Sequence, residues 1–263
     1  MSEGLSSEVG SEVPALTLGV RAGSDGMKEA GEPRVLEVRD TGTVRWADAW
    51  ELQQDLVARR KRGEIQDQLL IVEHPHVVTM GRNGHGENLL ASPELLAKTG
   101  IDFHATNRGG DVTYHGPGQV VGYPILDLRP WKRDVVAYVR AVEQVLIEAL
   151  AEFGIAGEPD PQATGVWVDG RKVAAIGIHI SRWVTSHGFA LNLDTDLRYF
   201  EYIVPCGLKK PVTSMRALGS NASRAEVITA ISAAAGRVFN FEEVRIAATT
   251  VAGGTLNLDP RNQ

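Results

Sequence analysis

The sequence predicts a single α/β domain: a mixed, largely antiparallel sheet with helices packed on it. Three observations carry that expectation. Asp134–Phe153 reads as a helix, with Val135, Tyr138, Val139, Val142, Val145, Leu146, Ala149 and Phe153 on one face and Gly154 as its stop. Asp169-Gly170 is a two-residue hairpin signal between Val166–Val168 and Arg171–Ser181, and Trp183–Leu193 continues as a third strand. No internal repeat or linker divides the body, and a chain of 263 residues can bury a full core.

The remaining elements follow in order. Residues 1–33 mix Gly, Ser, Glu and Ala without a sustained period. They read as a mostly disordered extension, in which Leu16, Leu18 and Val20 leave room for one added edge strand. The domain is expected to span residues 34–250, followed by a tail at 251–263. Arg34–Arg39 alternates like a first strand, and Val44 to about Arg62 has helical spacing with a basic end. Leu69–Val72 and His76–Met80 are strand pieces separated by Glu73-His74-Pro75, where the proline denies the sheet a donor. Ser92-Pro93 opens a short helix that Gly100 ends, and Ile101–Thr106 is the next strand. Ser223 with Glu226 forms a capping-box pattern ahead of the last helix, which runs to about Val238.

Composition narrows the function classes. Hydrophobic residues make up 43% and charged residues 23%, ordinary for a globular protein. No apolar run is long enough to cross a bilayer and no signal pattern opens the chain, so a cytoplasmic location is expected. Residues 1–33 hold six acids and two bases, −4 of the net −6. The body is therefore close to neutral, which argues against bulk nucleic-acid binding.

Two stretches invite chemistry. Arg108–Gln119 (RGGDVTYHGPGQ) contains four glycines, which allow close approach of backbone to backbone or ligand. It has neither the Walker ending nor the dinucleotide-binding glycine spacing, and it reads as strand, glycine turn and strand, either around a substrate or simply as a tight hairpin. Cys206, the single cysteine, sits between Pro205 and Gly207. It is either small core filler or a thiol held at a loop corner. Lys172 lies on a strand of Val, Ala and Ile. It is either a surface lysine or the cation that stabilises the Cys206 thiolate, and partial burial would let it take and return a proton.

Four motifs, Arg108–Gln119, Gly170–Gly177 (GRKVAAIG), His187–Leu193 (HGFALNL) and Pro205–Leu208 (PCGL), resemble in order the signature of the octanoyltransferases of lipoate biosynthesis. Cys206 follows Lys172 by 34 positions, similar to that family. The resemblance covers roughly residues 34–240 and implies the fold of biotin and lipoate protein ligase catalytic domains. It also implies a ping-pong transfer of octanoyl from acyl carrier protein to Cys206. The acceptor it implies is a lysine of a lipoyl domain, in 2-oxoacid dehydrogenase E2 subunits or glycine cleavage H protein. Lys172 is implied to lower the thiol pKa. Substrate contacts are implied at Arg108, Gly109, Gly110, Asp111, Val112, Thr113, Tyr114 and His115. Further contacts are implied at Ala175, Ile176 and Gly177, and at Gly188, Phe189 and Ala190. No cofactor is implied, and one cysteine cannot hold the cluster that sulfur insertion requires.

The histidines stay open. His74 and His76 alternate on a strand as metal ligands can, but no third ligand of suitable spacing follows, and no metal is expected. His115 and His187 either orient or donate to substrate, or are hydrogen-bonded structural residues. An acidic carrier protein would meet Lys209 and Lys210, and secondarily Arg129, Lys132 and Arg133, if these are more than solvated charges. The competing readings are an ATP-dependent lipoate or biotin ligase, which has no use for the Pro-Cys-Gly corner, and a non-catalytic docking module, which needs neither Lys172 nor Cys206.

Overall fold

The computed structural model describes residues 33–203 and 211–247, together with the backbone of a strand at Leu16–Gly19. In chain order, β1 is Leu16–Gly19, β2 Val35–Thr43, α1 Trp46–Arg62, β3 Asp67–Glu73 and β4 Val77–Met80. Next come α2 at Pro93–Lys98, β5 at Asp102–Ala105, β6 at Val112–His115 and β7 at Gln119–Ile125. Then follow α3 at Val135–Ala151, β8 at Glu158–Asp160, β9 at Ala163–Val168, β10 at Arg171–Ser181 and β11 at Val184–Asn192. The last two are α4 at Arg224–Val238 and β12 at Glu243–Ala247.

Nine strands form one sheet in the order β1-β12-β2-β3-β7-β11-β10-β9-β8. Among the described residues, the parallel pairs of this sheet are β12–β2 and β2–β3 alone, so the expected mixed and largely antiparallel sheet is present. Period-two alternation sends neighbouring side chains to opposite faces. Leu69, Ile71, Val120 and Leu191 pack under α3 and α4 with Tyr138, Val142, Leu146 and Ile231. Leu70, Val72, Val121 and Tyr123 pack under α1 with Ala49 and Leu56. Central strands covered on both faces therefore read as unbroken apolar runs, as β3 and β7 do.

Local signals act where they were read. Asp169 and Gly170 both take positive φ, 49° and 72°, the geometry of a two-residue hairpin turn. Asp134 caps α3 by accepting from the Ala137 N–H at 3.0 Å, and Ser223 and Glu226 close a reciprocal capping box on α4. Val135 departs from its pattern: it is 48% exposed at the first turn of α3, before the helix reaches the core. The Leu16–Leu18 alternation is realised as β1, which adds antiparallel to β12 at the sheet edge.

The larger departure concerns Arg108–Gln119, which does not form a hairpin. β6 pairs with β4 in a separate three-stranded sheet of order β5-β4-β6, and β7 belongs to the large sheet. Gly116-Pro117-Gly118 carries the chain across. Gly118 takes φ 83°, and its carbonyl accepts from the N–H groups of Leu193 and Asp194, leaving no room for a side chain. The break at Pro75 likewise passes the chain from the large sheet to the small one. There His74 donates from Nδ1 to the Val44 carbonyl and accepts at Nε2 from the Tyr123 hydroxyl, both at 2.7 Å.

Candidate active site

The two sheets leave a cleft between them with about 790 Å³ of empty space, part of it open to solvent. Its polar wall comes from the small sheet and the loop before β6. Arg108, only 7% exposed, donates from Nη2 to Thr79 O at 2.7 Å and to Thr79 Oγ1 at 2.9 Å, so the guanidinium is fixed to β4. Asp111 accepts from the backbone N–H groups of Val112 at 2.7 Å and His85 at 3.1 Å and from the Asn88 amide, which ties down the 85–88 loop. Val112, Thr113, Gly110 and His115 join them in lining the cleft.

Two predicted contacts stand behind that wall. Gly109 donates to the Ile178 carbonyl at 2.8 Å and holds the loop on β10, while Tyr114 is buried in the small-sheet core with its hydroxyl on His76 Nδ1 at 2.7 Å. His76 also stacks on Tyr199 at 4.2 Å. His74 and His76 are thus each engaged by a different tyrosine. Among the described residues no three His, Cys, Asp or Glu side chains converge as metal ligands.

The opposite wall brings two distant motifs into register. On adjacent strands β10 and β11, Ala175 faces Ala190, Ile176 faces Phe189 and Gly177 faces Gly188, and all six line the cleft. The walls touch at Gly177, where a Cβ would stand 3.0 Å from the Gly109 carbonyl and 3.1 Å from Arg108 Cδ. A side chain there would push them apart.

Lys172 lies on this second wall, 6% exposed, with its Nζ 4.7 Å over the Trp167 ring, a cation–π contact across β9–β10. It is a buried lysine rather than one snorkelling to solvent. Its backbone receives the chain that re-enters after residue 210: Lys172 N–H donates to Pro211 O and Thr213 N–H donates to Lys172 O, both at 2.9 Å. Cys206, Lys209 and Lys210 lie outside the described residues. Of the other charges considered for docking, Arg129 is engaged by Asp127 through Nε at 2.9 Å, and Lys132 lies 3.7 Å from Asp134.

Sequence reading missed a buried relay. His115 Nδ1 pairs with Gln119 Oε1 at 3.2 Å, and Gln119 Nε2 donates to Asn192 Oδ1 at 3.0 Å. Asn192 Nδ2 then donates to the Thr213 carbonyl at 2.9 Å, so the chain of bonds reaches the segment seated on Lys172. The signal was present in Asn192, a polar residue ending an apolar strand. Thr79, Trp46 and Val212 also line the cleft, and nothing in their local sequence marks them.

The cleft histidines are neutral at physiological pH. Burial, then Arg108 and His179, push His187 down to about 3, and burial, then His74 and Arg108, hold His115 well below its usual value. His187 Nε2 pairs with Asn107 Oδ1 at 2.7 Å, so Nε2 carries the proton. The ring stacks on Trp50 at 4.6 Å.

Residues 45–236 match the family model described as the lipoyl protein ligase A/B catalytic domain. An octanoyltransferase of Solibacter usitatus is 62% identical over 205 residues, spanning 78% of this chain and 93% of the relative. An octanoyltransferase of Koribacter versatilis is 50% identical, spanning 78% and 84%. The chain belongs to the octanoyltransferase family. As an octanoyltransferase it is an acyltransferase, and its fold is shared with solved ligases. Lipoate-protein ligase A bound with ATP superposes with a TM-score of 0.64 at 15% identity, covering 85% of this chain and 90% of that one. The bi-partite lipoate protein ligase of Thermoplasma acidophilum gives 0.62 at 15% identity, covering 84% and 88%. Among the described residues no helix is long and apolar enough to cross a membrane.

Proposed function

We propose that this octanoyltransferase works through an acyl-cysteine, taking octanoyl from acyl carrier protein and delivering it to lipoyl domains in the cytoplasm. The family carries octanoyl transfer in protein lipoylation; the route and partners are the reading advanced here. The Cys206 thiolate attacks the thioester carbonyl, the carrier thiolate leaves with a proton, and octanoyl rests on Sγ. The ε-amine of an acceptor lysine, in an E2 subunit or glycine cleavage H protein, then attacks that carbonyl. An amide forms, the amine loses a proton, and the thiol is regenerated. No cofactor enters either step.

The observation that carries this reading is Lys172. Lys172 is buried in the wall of a cleft lined by Ile176, Phe189 and Val121, where its side chain can supply positive charge and carry a proton. Its backbone holds Pro211 and Thr213, five and seven positions past Cys206. On the other side Ile203, three positions before Cys206, bridges to Leu89. An ammonium near the sulfur favours the thiolate by direct charge attraction. The apolar wall suits an alkyl chain, and neutral His115 and His187, whose protons are held by Gln119 and Asn107, each keep one ring nitrogen as an acceptor without adding charge. Arg108, Gly110, Asp111, Val112, Thr113, Ala175, Gly177, Gly188 and Ala190 shape the slot in this scheme, with Gly109 and Tyr114 supporting it from behind.

The test is an intact mass after exposure to octanoyl-carrier protein, before acceptor is added. One octanoyl group is expected on the wild type and none on Cys206→Ser, because a hydroxyl is a far weaker nucleophile than a thiolate. Undiminished transfer by Cys206→Ser would exclude the acyl-cysteine.

A further inference from the structure

His187 lines the cleft, and three groups that hold it line a second cavity. Asn107 receives its Nε2, Trp50 stacks on its ring, and Gln53 Oε1 accepts from its backbone N–H at 2.9 Å. This cavity has about 660 Å³ of empty space, part of it open to solvent, and among the described residues no carboxylate lines it. It lies between α1 and the β10–β11 turn.

Among the described residues its charged side chains are the cations Lys61 and Arg182, set beside amides and hydroxyls. Gln53 is fully buried, and its amide orientation is set by chemistry: a backbone N–H can only donate, so the atom facing His187 is the oxygen. The Nε2 at the other end is buried and has no partner among the described residues. His179 Nδ1 is likewise buried and unpartnered. A buried donor left unmade costs about 1–3 kcal/mol, so the Gln53 amide beside this cavity calls for an acceptor that the described residues do not supply. Charge agrees. Lys61 and Arg182 both line the cavity, and burial, then Arg182, lower the Lys61 pKa, so the two cations repel. Arg82 and Lys61 in turn lower His179, after burial. Among the described residues none of Lys61, Arg82 and Arg182 forms an ion pair with a carboxylate.

We infer that this cavity binds a small oxyanion, a phosphate or carboxylate group, between Gln53 Nε2 and the Lys61–Arg182 pair. Lone pairs on one such group satisfy the orphaned amide, and its charge relieves the repulsion. Trp50, Val57 and Ala58 supply an apolar wall for whatever bears it. Binding is transmitted to the cleft, because Gln53 also grips the His187 backbone, held at φ 55°. The inference does not depend on the acyl-cysteine.

The experiment follows the Gln53 side-chain amide by nitrogen-15 NMR in the full chain. Inorganic phosphate, acetate and chloride are titrated separately at matched ionic strength. A saturating shift is expected with phosphate, with acetate, or with both, and which of them saturates assigns the chemistry; chloride gives none. Lys61→Gln with Arg182→Gln is expected to weaken that affinity roughly tenfold or more with an unchanged melting temperature. Gln53→Glu keeps the acceptor for His187 and supplies the anion internally, so saturable binding, followed there by the Asn107 amide, should vanish. Shifts that match chloride for both oxyanions, or a Lys61/Arg182 double variant that binds as tightly as the wild type, overturn the inference.

Discussion

The two walls of the cleft are made specific by opposite means. The wall from β6 and its preceding loop is over-tied: Arg108 to Thr79, Asp111 to two backbone N–H groups, His115 to Gln119. The wall from β10 and β11 holds its shape through what is missing, with glycine facing glycine at 177 and 188 and alanine facing alanine at 175 and 190. Removing a group from the first leaves a partner unsatisfied, whereas adding one to the second closes the space. Lys172 is the exception, a cation set in the wall of small and apolar side chains.

That exception is where the largest effect is expected. Lys172→Arg keeps a positive charge but gives up a proton far less readily. Octanoyl transfer should fall by roughly 10³-fold, within the usual range for a lost proton-transfer group, while alkylation of the thiol by a small reagent continues. Transfer that survives in Lys172→Arg would reduce Lys172 to a fixed charge. Next is the hub of the polar wall. Gln119→Leu strands His115 Nδ1 and Asn192 Oδ1 together, at about 1–3 kcal/mol for each buried group. Urea unfolding should show a loss of about 3 kcal/mol, and a loss below about 1 kcal/mol would mean that water replaces the amide at no cost.

A third expectation concerns pH. His187 and His74 have folded pKa values depressed to about 3 and about 4, below the unfolded value of about 6.5. Their neutral forms stabilise the fold in full above pH 6.5. Below it the unfolded chain binds protons that the native state refuses, so stability falls with pH until the folded values are passed. Each histidine should contribute a loss of about 2 kcal/mol between pH 6.5 and 5. Denaturant midpoints that do not change over that interval would show that these rings are protonated in the native state. The smallest effect lies away from both walls: Ser223→Ala opens the α4 capping box and should cost about 1 kcal/mol without altering transfer.

Much of this was legible. Asp169-Gly170, Ser92-Pro93 and the Ser223–Glu226 box each act through a few neighbouring atoms, so they can be read without the tertiary context, whereas Asp134, read as the first residue of its helix, is the cap that precedes it. The division into two sheets was not, because β4 and β6 have four residues each and a four-residue strand does not announce its partner. The facing of Ala175–Gly177 with Gly188–Ala190 was hidden for another reason. It follows from a two-residue turn at Arg182-Trp183, both at positive φ (53° and 65°), made by residues with no preference for that region. The Gln119–Asn192 relay was half visible as polar residues in apolar strands, but its direction depends on where two sheets meet.

The pairing of β2 with β12 carries a kinetic consequence. It joins residues about 208 positions apart, and the family match at 45–236 includes neither strand. During synthesis β2 emerges early and can pair with β3, but its other edge has no neighbour until nearly all of the described chain has been made. Closing so long a loop is entropically expensive, and it rewards the chain only when complete. Until then the backbone donors and acceptors of Val35–Arg39 are open to any other strand, which makes this edge the natural entry point for aggregation of a truncated or slowly translated chain.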